Sequence, residues 1–412
     1  MRQTFLAASL FIGLMLGCTS GTTSSTGTTT GGGTGGSTNS SGWTGGGDGI
    51  WRRNAVYAEA VTFDPCNAHQ PGSGEYHYHD NPICLRYQLG DNVQKLGSSD
   101  LNPQYAEVSA NFTHSPILGW TWDGYPVYGP YGYSNPASAT SGVRRMVSSY
   151  SLRNITVRQT LPAWAAAAQN MSTTLTPEQY GPVVSTTYPL GRYIEDFDYT
   201  AGAGDLDQYN GRFTVTPDFP NGTYAYFVTI DSTGAPAFPY YIASQFYGTA
   251  SGGAVSAVTE TTTTYFNNGT IAVGSSANPT VYSWLTKYAA QYAKVISESN
   301  TAAGAQTTWS GTTSPVLADI QQIRYSSTWA YINTSGLASH TMGPWYLDAA
   351  KTQAFPNYPS NQNALSRIPI TPSVATTKTA TGGGAQGRWV NGVAMFNNLD
   401  FHSWSYSAQA DE

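Results

Sequence analysis

From residue 49 onward, short apolar runs alternate with Gly, Pro, Asn and Asp, and that punctuation predicts strands joined by turns. Residues 55–63 read as a strand that stops at Asp64-Pro65. Residues 211–216 and 223–230 read as a hairpin whose turn is the Pro-Asp-Phe-Pro-Asn-Gly stretch at 217–222. Residues 320–332 predict another strand or pair of strands. Helical spacing is scarce. Residues 162–170 suit one short helix with Pro near its start. In 278–299, Tyr282, Leu285, Tyr288, Tyr292 and Val295 recur every three or four residues and predict a longer helix. The fold class that follows is mainly β: a sandwich-like single large domain with few short helices.

The N-terminus follows a different pattern. Residues 5–16 form an apolar run too short to span a bilayer permanently. The following Met15-Leu16-Gly17-Cys18 resembles a lipobox, although Met stands where Leu is usual. That resemblance makes Cys18 the lipidated first residue of the exported protein, anchored through its acyl chains. Thr19 follows it, where Asp would hold a lipoprotein back, so the outer membrane is the expected location. Residues 19–48 are nearly all Ser, Thr, Gly and Asn and read as a flexible tether. The division is a 1–18 signal peptide, a 19–48 tether, a domain over 49–250, a connecting segment with a possible helix over 251–315, and a 316–412 remainder of the same domain. Residues 375–386 form a second Thr/Gly-rich stretch, read as a surface loop.

Composition narrows the function. Of 412 residues only 10% are charged and 13% are aromatic, with 29 Tyr and 11 Trp, so the chain relies on aromatic packing and neutral hydrogen bonds. With net charge -6 and no Lys/Arg cluster, nucleic acid is a poor partner. Apart from Cys18, two cysteines remain, Cys66 and Cys84. In an oxidising compartment they read as a disulfide, the alternative being two free buried thiols.

The six histidines carry the candidate chemistry. On a strand, His77 and His79 face the same way and can share a metal ion, while Tyr76 and Tyr78 face the other way. His69 lies just upstream, where a Cys66–Cys84 bridge would hold it near them, and His114 is a possible further ligand. A histidine site without thiolate suits a divalent transition metal, copper or zinc, with nickel also open. The competing reading is that each of these rings is tied to a backbone carbonyl or a tyrosine hydroxyl. His340 and His402 read as structural or rim residues. Asp123 is the candidate catalytic acid or base, or else the cap of its own turn. Glu195, Asp196, Asp198, Asp205 and Asp207 form the densest acidic patch. They are expected to cap turns and pair with Arg192 or Arg212, with Arg144, Arg145, Arg153 and Arg158 as further partners. An anion site at those arginines, and a calcium loop at Asp205, Asp207 and Asn210, are weaker alternatives. No Gly-x-Ser-x-Gly elbow, phosphate loop, Rossmann fingerprint or His-Glu-x-x-His helix occurs.

Three segments resemble the YHYH family of bacterial secreted proteins and lipoproteins. They are 64–69 with Gly74-Glu75-Tyr76-His77-Tyr78-His79 and 81–85; 114–120 with Asp123-Gly124-Tyr125-Pro126-Val127-Tyr128-Gly129-Pro130; and 204–213 with 222–227. No settled activity comes with that family, so the resemblance implies little mechanism. Segments 336–345, Ile368-Pro369 and 390–400 are similar to parts that usually precede the motif, which implies a circular permutation. Its geometric consequences are that 404–406 ends near Ile50-Trp51, and that 49–248 needs 316–412 to form a domain. Three functions remain open. The first is a metal-binding envelope lipoprotein, with a metalloenzyme activity left open. The second is a non-catalytic surface module that binds glycan or protein through exposed aromatics. The third is a metal-free hydrolase using Asp123 or the acidic patch.

Overall fold

A computed structural model describes residues 43–99, 103–296, 307–308 and 315–412. Cys18 lies outside the described residues. Most of the chain forms strands, in two larger sheets and several two- or three-stranded ones. The eight-stranded sheet runs, edge to edge, Gly211–Thr214, Thr223–Phe227, Pro126–Tyr128, Ile117–Thr121, Ala385–Trp389, Ala394–Phe396, His77–Tyr78, Ala68–His69. The 211–214 and 223–227 pair is the expected hairpin. Two C-terminal strands thus sit in the middle of a sheet otherwise built from the first half of the chain. The turn between them needs Gly392: its φ is +83°, and a Cβ there would collide with the Thr334 side chain.

The six-stranded sheet is antiparallel throughout: Gly253–Ala254, Ala364–Pro369, Trp329–Thr334, Ile320–Tyr325, Thr263–Asn267, Ala272–Val273. Residues 320–325 and 329–334 are the pair foreseen over 320–332. One buried cluster joins Leu118, Val127 and Phe227 of the first sheet to Ile323, Ile332 and Ile368 of the second. Burying such side chains contributes about 1.5–3 kcal/mol each.

Several expectations need correcting. Residues 55–63 are not a strand: Ala55–Glu59 is α-helical and Ala60–Thr62 is a 3-10 turn. Their Val, Tyr and Thr suggested β structure, but three alanines and a glutamate favour coiling, and no partner strand meets this segment. The long helix over 278–299 shrinks to Pro279–Tyr282, capped by Asn278. Beyond it the backbone bonds to distant partners, with Leu285 N donating to Val390 O and Ala293 N to Val316 O, so tertiary contacts override the helical spacing. Nor is 251–315 merely a connection, since strands 253–254, 263–267 and 272–273 belong to the second sheet. The helix at Ala163–Gln169 is present and ends on left-handed Asn170.

The two ends of the globular part meet. Arg52–Asn54 pairs with Leu399–Ser405, and Trp404 N donates to Trp51 O at 2.9 Å. Residues 43–48, read above as the end of the tether, pack here too: Gly46 N donates to Phe401 O and Asp48 N to Trp404 O.

Candidate metal centre

The strands Ala68–His69 and His77–Tyr78 are antiparallel, with His69 directly opposite His77. Opposed residues share a face, and so do residues two apart on an extended chain. His69, His77 and His79 therefore gather on one side, buried to 3–7% exposure. The Cys66–Cys84 disulfide is formed and closes the loop carrying all three; a loop of this size gives about 3 kcal/mol in the chain-entropy model. His77 Nε2 lies 3.1 Å from His69 Nε2 and 3.0 Å from His79 Nε2. A fourth group, Glu59, arrives from the short helix Ala55–Glu59. Its Oε2 is 3.0 Å from His79 Nε2 and 3.4 Å from His69 Nε2.

The opposite nitrogen of each ring is already occupied. His77 Nδ1 donates to Glu75 O at 2.8 Å and His79 Nδ1 to Asn397 O at 2.7 Å; a carbonyl only accepts, so both Nδ1 atoms carry the hydrogen. Thr62 Oγ1 gives its own hydrogen to Glu59 O and so accepts from His69 Nδ1 at 2.7 Å. In the neutral rings all three Nε2 atoms then present bare lone pairs to one another and to a carboxylate oxygen. Four acceptors converge with no donor among them. A proton between His79 and Glu59 satisfies only one contact, and a cation satisfies all. With metal–nitrogen bonds of about 2.0–2.1 Å, donors 3.0–3.1 Å apart subtend roughly 95° at the ion.

The electrostatics favour a positive charge beside Glu59, whether a cation or a proton on His79. Burial lowers His69, as it does His77, which the neighbouring His69 and His79 push down further. Burial opposes charge on His79 too, but attraction to Glu59 outweighs it and leaves His79 raised. Glu59 shows the mirror image: burial raises it, His79 and the hydrogen bonds from His69 and His79 lower it more, and it ends well below the usual range. Aromatic rings wall the cluster: Phe396 stacks on His77 at 4.0 Å, Phe63 lies 4.9 Å from His69, and Phe355 lies 6.4 Å from it. The Glu59 side chain is one quarter exposed, although the Oε2 that faces the rings is itself buried.

The other candidates lie elsewhere. His114 does not join the cluster; its ring packs on Tyr128 and Tyr133 and its Nδ1 faces Ser115 O. Asp123 is a turn cap. One oxygen takes the Thr121 hydroxyl at 2.5 Å and faces Tyr125 N, and the other takes the Tyr226 hydroxyl and Gly248 N. The acidic patch is divided among separate partners: Glu195 with Arg52, Asp196 with Arg158, Asp205 with Arg144 and Val147 N, and Asp207 with Tyr224 and its own turn. Arg192 pairs instead with Asp411, and Arg212 donates to Tyr133 O. Asp205 and Asp207 therefore do not converge as a calcium loop requires. His402 is exposed. His340 approaches Cys66 and Cys84, but the bridged sulfurs offer no thiolate. Glu59 escaped the sequence reading because its segment was taken for a strand; three alanines flanking an acid were the available signal.

The YHYH protein family profile matches residues 12–242, more than half of the chain. This chain belongs to the YHYH protein family. No curated protein and no solved structure matches it. The YHYH segment for which the family is named is the strand described above, its histidines on one face and Tyr76 and Tyr78 on the other. The tyrosine hydroxyls meet their own partners. Tyr76 donates to Asp64 Oδ2 at 2.8 Å, and the Tyr78 hydroxyl lies 2.5 Å from His340 Nε2.

Proposed function

We propose that this YHYH protein is a cell-envelope lipoprotein that holds one transition-metal ion with His69, His77, His79 and Glu59. The observation that carries the reading is the set of three Nε2 lone pairs, each fixed by a hydrogen bond at the opposite ring nitrogen and all aimed at one point beside a carboxylate. Such outer hydrogen bonds orient metal-ligating histidines. Imidazole with one carboxylate suits zinc or copper, and a bound ion there would act as a Lewis acid or a redox centre toward a small molecule entering beside Glu59.

Elemental analysis of the purified protein, wild type beside His77→Ala/His79→Ala, tests this. We expect about one equivalent in the wild type and none in the variant; equal content in both ends the proposal. The anchoring part rests on Cys18, and Cys18→Ser is expected to move the protein from the membrane to the soluble fraction. The permuted order is also a proposal, supported by the contact between Trp51 and Trp404 and by the central place of the C-terminal strands. Glycan stacking has less support: Trp51, Trp120, Trp345 and Trp389 are all under 2% exposed, and the exposed aromatics Tyr57, Tyr87, Phe213, Tyr292 and Tyr406 come from separate segments of the chain.

A further inference from the structure

Tyr78 is fully buried, and its side chain lies on the face opposite His77 and His79. Its partner His340 has Nδ1 facing Thr341 O at 3.1 Å, so Nδ1 carries the ring hydrogen. Nε2 is then a bare acceptor, and the Tyr78 O–H donates to it across 2.5 Å. A phenol bonded to a neutral imidazole in a dry site is arranged for one-electron oxidation. Losing an electron alone would leave a strongly acidic phenol radical cation; passing its proton to the imidazole in the same step moves the charge onto His340 and leaves a neutral phenoxyl ring, which a carbonyl partner could not achieve. Tyr241 shows the contrast: its hydroxyl donates to the carbonyl of Phe396, which does not take a proton. From Tyr78 a file of aromatic rings leads outward. Tyr76 lies at 5.6 Å, Trp345 at 6.2 Å from Tyr76, and Tyr358, which is partly exposed, at 6.2 Å from Trp345.

We propose that Tyr78 is a redox-active tyrosine whose proton passes to His340, and that Tyr76, Trp345 and Tyr358 relay oxidising equivalents between it and the surface. In the step, one electron leaves Tyr78 for a one-electron oxidant, the phenolic O–H bond breaks, and the proton forms an N–H bond at His340 Nε2. The products are a neutral phenoxyl radical, an imidazolium and an oxidant reduced by one unit. Inside the protein that oxidant would be an oxidised, redox-active ion such as copper, and not zinc, held at the three-histidine site, and in this respect alone the inference rests on the metal reading.

The test uses metal-free protein, so that the two ideas fail separately. Flash-generated ruthenium(III) tris-bipyridine, with a cobalt(III) ammine as quencher, supplies the oxidant, and electron paramagnetic resonance on rapidly frozen samples reads the radical. The wild type is expected to give a long-lived signal that narrows when tyrosine is ring-deuterated. Tyr78→Phe is expected to lose it. His340→Gln, whose amide still accepts the hydrogen bond but does not take the proton, is expected to lose it as well, with metal content in both variants at the wild-type level. A long-lived signal of wild-type intensity in either variant, or none in the wild type, overturns the inference. Metal content measured on the same proteins as purified, before the metal is removed for the flash experiment, tells that outcome apart from failure of the metal site.

Discussion

The two faces of the strand His77–Tyr78 bury comparable polar groups and leave them in opposite condition. On the tyrosine face, donors meet acceptors: Tyr76 reaches Asp64, Tyr78 reaches His340, and Gly343 N, Cys66 N and Ala68 N complete the Asp64 carboxylate. On the histidine face, three lone pairs and a carboxylate oxygen meet one another. An unsatisfied buried polar group costs about 1–3 kcal/mol, so the first face is complete without help, whereas the second gains from a positive charge among its acceptors. Counting donors against acceptors distinguishes the two faces where burial and residue type alone do not.

The largest expected difference between the faces comes from His69→Ala. Loss of one nitrogen ligand is expected to weaken metal binding about 100-fold, or about 2.7 kcal/mol, while metal-free stability in urea stays level or improves as a crowded acceptor is relieved. Equal destabilisation with and without metal would make the histidine face structural, like its opposite.

Next in size is the pH response of the tyrosine face. Burial pushes His340 down from 6.5 to about 4. A folded pKa below the unfolded one means that the unfolded chain binds more protons between those values, so stability rises with pH across that window and is lost on acidification. Between about pH 6.5 and about pH 4.5 the wild type is expected to lose about 2 kcal/mol more than His340→Gln in urea unfolding. Parallel curves would mean that His340 is charged in the folded state.

Tyr78→Phe leaves His340 Nε2 without its donor and is expected to cost about 1–2 kcal/mol, with metal content unchanged. A fall in metal content would show the two faces to be coupled through the strand. The smallest effect expected is that of Glu59→Gln, about ten-fold weaker metal binding measured by competition with a chelator, or about 1.4 kcal/mol. An unchanged affinity would remove Glu59 from the set of ligands.

Part of this was legible in the chain itself. Alternation alone puts His77 and His79 together and Tyr76 and Tyr78 opposite, because a strand repeats every two residues. The cysteine spacing around His69 pointed the right way for the third ring. The hairpin of Gly211–Thr214 and Thr223–Phe227 and the helix Ala163–Gln169 follow from local turn and cap chemistry. What stayed hidden depends on distant backbone. The carbonyl that fixes His79 belongs to Asn397, the ring stacked on His77 to Phe396, and the partner of Tyr78 to residue 340. Glu59 was hidden for another reason: a segment short enough to suit either helix or strand is decided by its neighbours. His114 sits in a different aromatic pocket on the same sheet's first strands, and nothing in its spacing from the motif separates that outcome from ligation.

The strand Ala394–Phe396 lies beside His77–Tyr78, and Asn397 follows it directly. A nascent polypeptide that has emerged only as far as residue 393 already contains every proposed ligand, yet His79 has nothing to hold its tautomer and His77 lacks its aromatic cover. At the proposed metal site, capture of an ion would therefore wait for nearly the last residues to be synthesised, and truncated products would carry the motif without the groups that orient it.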